Sequence, residues 1–194
     1  MLFMLSVSHA ATGAFIATKL PHPALYIPLI LASHYLEDWI PHWDVGTGLS
    51  NGTRSRKTAF ILELVDLAVA LLLVYFFWQA GQSVINYHAW IGVFISLTPD
   101  FFEAPRNFLR SEPWFLQKIN QFHGWFHHSI PRVAVGLLPQ IVLLLVIWLF
   151  RWNPHDYNLW VSPKCRGRES NPHEVASIGF WDLRVYQFLH LGLN

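Results

Sequence analysis

Cysteine is all but absent. Cys165 stands alone, which rules out an intrachain disulfide and any thiolate zinc finger. Charge is scarce as well: 13% of the 194 residues are Asp, Glu, Lys or Arg against 53% apolar, and a net charge of +1 leaves no basic footprint for nucleic acid. No cluster of basic residues precedes the first apolar run, so residues 3–18 read as a retained helix in place of a cleaved signal peptide. With a positive mean hydropathy, these shortages exclude an ordinary soluble domain. An all-α integral membrane protein is the expected class.

What the chain does have is long apolar runs. Residues 3–18, 24–40, 59–80, 84–98 and 131–150 read as about five apolar helices of a membrane bundle. The first is rich in Ser, Ala and Gly, which lets neighbouring helices approach closely. Pro21 and Pro23 separate it from the second. A polar loop at 44–57 carries Arg54, Arg56 and Lys57, and residues 101–118 mix Arg106, Arg110 and Lys118 with Phe101, Phe102, Trp114 and Phe115, the pattern of a segment lying at a membrane surface.

It also has histidine, and histidine placed beside carboxylate. In residues 33–44, His34 and Asp38 stand i and i+4 on one helical face, while His42 and Asp44 follow just beyond Pro41. Alone, such a pair is an ordinary hydrogen-bonded cap. The pattern recurs, however: His123 and His127 are again i and i+4, Asp100 follows Pro99 at an expected helix end, and His9 sits inside the first apolar run. Glu63 and Asp66 lie i, i+3 near the start of residues 59–80, where carboxylates either snorkel to the interface or mark a functional site.

If 59–80 and 84–98 form a hairpin through the bilayer, the basic residues 54–57 and 106–118 fall on one side, which the positive-inside rule makes cytoplasmic. His9, His34, Asp38, His42, Glu63, Asp66, Asp100, His123 and His127 then gather at that same face. Imidazoles and carboxylates converging from several helices are what a site for two or three divalent ions, zinc or manganese, requires. The expected metal donors are His9, His34, Asp38, His42, Asp100, His123 and His127, with Glu63 or Asp66 as a catalytic base or metal bridge.

At these residues the chain resembles the membrane-bound metal-dependent hydrolase family called YdjM-like. The matching pieces are His9, the Ser33-His34 to Asp38 segment with Pro41-His42, the Leu97-Thr98-Pro99-Asp100 step, and His123 to His127-His128-Ser129. They span roughly residues 5–150. The His34 to His42 segment is more distantly similar to that of zinc-dependent phospholipases C and single-strand nucleases, although His127 stands where those proteins carry a carboxylate. Gly124 replaces an Arg common in the YdjM-like pattern. The resemblance itself implies only a membrane-bound, metal-dependent hydrolase. Taken with the donor set and the charge distribution, the expectation is a protein of the bacterial inner membrane, its site facing the cytoplasm, in which metal-activated water attacks a phosphoester of a lipid or lipid-linked substrate. A metal-ion transporter or sensor is the alternative expectation, and a structural membrane protein the third. Residues 1–158 are expected to hold the bundle. Residues 159–194 lack an apolar period, and Glu169-Ser170-Asn171-Pro172 matches a translated complement of a transfer RNA T-arm, so this tail reads as run-on into a neighbouring gene, outside the fold, with an amphipathic surface helix over residues 181–193 as the alternative.

Overall fold

A computed structural model describes residues 5–49 and 52–151; the tail reading at 159–194 lies outside them. The described residues form six α-helices: α1 Ser6–Lys19, α2 Pro23–Trp39, α3 Arg56–Val74, α4 Tyr87–Ala104, α5 Trp114–Phe126 and α6 Val133–Phe150. A single wider π-helical turn extends α3 through Tyr75–Gln79 and another extends α4 through Pro105–Leu109. The sixth helix beyond the expected five is α5, which the sequence reading had divided between a surface segment and a histidine cluster.

Small residues make α1 the centre. Ser6, Ser8, Ala10, Ala11, Gly13, Ala14 and Ala17 are all buried, and α2, α3, α4 and α6 all pack against it. The closest approach is to α4, where a Cβ on Gly13 would collide with the Gly92 carbonyl oxygen and a Cβ on Gly92 with that of Gly13. Glycine is required at both positions because backbone, which cannot swing aside, occupies the space.

The apolar side chains are distributed inside out. The core of α1, α3, α4 and α6 is mostly Ala and Val with Trp78, Leu97 and Ile147, whereas Phe60, Leu64, Leu72 and Phe76 on α3, and Leu138, Val142, Leu145 and Leu149 on α6, are exposed. Buried instead are His9, His34, Glu37, Asp38, His42, Asp44, Asp66, Asp100, Glu103, His123 and Gln140. Among the described residues, two helices, Arg56–Gln79 and Val133–Phe150, are long and apolar enough to cross a membrane.

One element differs from the sequence reading in a way that moves a key residue. Pro99 does not end α4; the helix continues to Ala104, placing Asp100 and Glu103 within it and burying both. Proline deprives the helix of one N–H but leaves the downstream turns free to hydrogen-bond. The Thr98 hydroxyl, donating to the Phe94 carbonyl at 2.7 Å, supports the turn at which that bond is lost.

Candidate metal centre

The site is assembled where α2, α4 and α5 end. His34 and Asp38 are one turn apart on α2, Asp100 is on the last turns of α4 and His123 on the last turn of α5. Beyond α2 and α5 the chain segments run side by side. His128 N–H donates to the Asp38 carbonyl at 3.0 Å, His42 N–H to that of His128 at 3.1 Å, and Ile130 N–H to that of His42 at 2.8 Å. This short parallel bridge fastens the first histidine motif to the second.

Four of the expected donors converge. His34 Nε2 lies 3.3 Å from His123 Nε2, 3.4 Å from Asp38 Oδ2 and 3.6 Å from Asp100 Oδ1. His123 Nε2 is 2.5 Å from Asp38 Oδ2 and 3.9 Å from Asp100 Oδ1. All four residues are buried. A point equidistant from His34 Nε2, His123 Nε2 and Asp100 Oδ1 lies about 2.1 Å from each, the length of a zinc–nitrogen or zinc–oxygen bond. Neither oxygen of Asp100 has a hydrogen-bond partner among the described residues. Burying a carboxylate so is costly unless a cation compensates. The donor set and the unpartnered acid fit a divalent ion.

Asp38 also belongs to a second group. With His42 and His127 it again places one ligand atom from each within 4.8 Å of the others, the two imidazoles meeting Nε2 to Nε2 at 3.2 Å. His42 is set by its own backbone, since Nδ1–H donates to the Ile40 carbonyl at 2.7 Å and leaves Nε2 as the lone-pair nitrogen. Burial lowers the pKa of His42, and that of His127 to about 3, so both rings are neutral near pH 7, the form that binds metal. His127 is partly exposed and leads to exposed His128 and Ser129, so this group forms the rim. Its separation from His123, despite their i, i+4 spacing, follows from α5 ending at Phe126: His127 is extended, with ψ 114°.

His9 is beside the enclosed group, with Nε2 3.3 Å from Asp38 Oδ1 and Nδ1 3.0 Å from Glu37 Oε2. It meets the oxygen of Asp38 that faces away from His34 and His123, a position suited to orienting that carboxylate. Glu63 and Asp66 are placed elsewhere. Asp66 Oδ2 accepts the Ser6 N–H at 2.5 Å and Glu63 Oε1 accepts the Ser6 hydroxyl at 2.9 Å. They satisfy unpaired donors at the amino end of α1, where the helix dipole favours negative charge, and belong to neither donor group.

Three participants carried too weak a signal to be singled out by sequence. Glu37 reads as one more charge on α2, yet it is buried against His9. Glu103 lies 3.5 Å from His123 Nδ1 and is held at 2.7 Å by Arg106. Gln140 is the one strongly polar side chain of α6. Its amide donates to the Trp43 carbonyl at 2.7 Å, and its oxygen accepts from Leu5 N–H at 3.2 Å, anchoring the segment between His42 and Asp44. Compared with protein-family models, with curated proteins and with solved structures, the chain matches none.

Proposed function

We propose that this is an integral membrane, metal-dependent hydrolase acting on a phosphoester presented at the bilayer surface, a lipid or a lipid-linked substrate. The observation that carries the reading is the pair of histidine–carboxylate groups joined through Asp38. His34, Asp38, Asp100 and His123 would hold a divalent ion, zinc or manganese, which supplies Lewis-acid activation of water and neutralises phosphate charge. The chain's own part is to keep those donors dry and fixed. α1 closes one side through His9, Glu63 and Asp66 anchor α1, and Glu103 turns the His123 ring.

The apolar exterior of α3 and α6 around this polar interior favours a bilayer as surroundings. Arg54, Arg56 and Lys57 lie between the end of α2 and the start of α3, and Arg106 and Arg110 just beyond α4, toward the helix ends that carry the site, which supports a cytoplasmic orientation in a bacterial inner membrane. One observation favours binding without turnover, as in a transporter or sensor: His34, Asp38 and His123 are almost wholly enclosed. The test is hydrolysis of phosphodiester and phosphomonoester lipids by metal-loaded protein in vesicles, beside Asp38→Asn. Phosphate release by the wild type alone supports the hydrolase. Stoichiometric metal with no release from any lipid class supports the binding protein.

A further inference from the structure

We infer that Asp44 completes a second divalent-cation site at the rim, distinct from the enclosed site and sharing only Asp38 with it. This deepens the metal-dependent reading above and rests on it. Asp44 is fully buried, and neither of its oxygens has a hydrogen-bond partner among the described residues. The Gly46 N–H and the Thr47 N–H and hydroxyl, in the turn that follows, are directed at the carboxylate and ease its burial, but they stop short of hydrogen-bond distance and angle. The carboxylate faces the two rim imidazoles instead, with Oδ2 3.8 Å from His42 Nε2 and 3.9 Å from His127 Nε2.

Those two nitrogens are 3.2 Å apart. A point equidistant from the three atoms lies about 2.1 Å from each, again a metal–ligand length. A hydrogen-bonded network would have drawn the carboxylate to about 2.8 Å from one ring nitrogen; standing nearly equally far from both is the spacing of ligands around a shared ion. Asp38, which places an oxygen within 4.8 Å of the ligand nitrogens of His42 and His127, is the carboxylate through which this ion would be linked to the enclosed one.

The segment bearing Asp44 is also held as a ligand loop must be. Gln140 grips the Trp43 carbonyl from α6, and a Cβ on Gly136 would collide with the Trp43 backbone nitrogen, so α6 lies hard against the residue between the two ligands. From the other side the Arg54 guanidinium donates to the Val45 carbonyl and covers the Trp43 ring at 5.5 Å. The rim ion, beside exposed His128 and Ser129, is the one placed to meet a phosphate arriving from outside and to exchange with the medium.

Manganese alone tests this. Full-length detergent-solubilised protein, stripped with chelator, is titrated with Mn²⁺, and bound metal is counted by equilibrium dialysis and read by electron paramagnetic resonance. Wild type should bind two ions with a spin-coupled spectrum. Asp44→Asn, nearly isosteric, should keep one ion with an uncoupled six-line spectrum and unchanged helical circular dichroism. Should that variant lose helix, His127→Ala at the rim makes the same comparison and should likewise retain one uncoupled ion. Two coupled ions persisting in either folded variant, or a wild type that holds only one, overturns the rim site while leaving the proposed function standing. A folded wild type that binds none overturns both.

Discussion

The enclosed and rim donor groups use the same chemistry on different supports. His34, Asp38, Asp100 and His123 stand on three packed helices, so their positions follow from how α2, α4 and α5 are held around α1. His42, Asp44 and His127 stand on chain just beyond helix ends and are positioned by backbone pairing and by α6 pressing from behind. Helix-borne ligands give a rigid, dry site; ligands beyond the helix ends give one that can exchange its ion and meet a substrate. Asp38 is where the two are joined.

Breaking the joint should have the largest effect. Asp38→Asn removes a donor from both groups, so metal analysis should find neither ion and lipid hydrolysis should fall below detection; a variant retaining one ion would show that the groups do not share Asp38. Next, the pair His123→Ala and His127→Ala should separate the groups. The first empties the enclosed site, and the second leaves one ion behind, as counted by elemental analysis of the folded variants. Gly136→Val should drive a side chain into Trp43, at a cost of about 1–3 kcal/mol in stability for overpacking, read as a lower melting temperature that added metal restores poorly. Gln140→Leu acts on the same segment from further away and should weaken the rim ion about 10–100-fold while sparing the enclosed one, the range for partners that orient ligands.

The smallest expected effect is in pH. Burial pushes the Asp44 carboxyl up to about 8 in the metal-free protein, against an unfolded value near 3.9. Between those values the folded chain holds a proton that the unfolded chain has released, so stability falls as pH rises toward about 8 and levels off above it. His42 and His127 have the opposite sign, being depressed, but their contribution is lost only as pH falls below about 6.5. The melting temperature of chelated protein should therefore decline between pH 6.5 and about 8, and Asp44→Asn should flatten that decline. An equal decline in both would remove Asp44 as its source.

The helices were legible because apolar runs and proline punctuation mark them directly, and His34, Asp38, Asp100 and His123 were legible because few polar residues interrupt those runs. Asp100 was foreseen at the site but in a turn, since a proline marks a lost hydrogen bond and not whether the turns after it close. The i, i+4 spacing of His123 and His127 implied a common face; the break after Phe126, set by pairing with a segment eighty-odd residues earlier, divides them between the two groups. Glu63 and Asp66 carried the signal of catalytic acids because an intramembrane carboxylate is costly wherever it stands. Only the position of Ser6 shows which cost they offset. Gln140 and Glu37 gave no signal, because one polar residue on a helix acquires meaning from what packs against it.

The account turns on whether the helix-borne donors hold an ion at all, and elemental analysis of the purified full-length protein, wild type beside His34→Ala and His123→Ala, tests that most directly. The expected result is stoichiometric zinc or manganese in the wild type and loss of the enclosed ion in each folded variant, since the two histidines come from segments 89 residues apart yet meet at 3.3 Å. A folded wild type that carries no metal and takes up none when it is supplied would contradict the account, and the cluster would then stand as a buried hydrogen-bonded network that joins the helix ends.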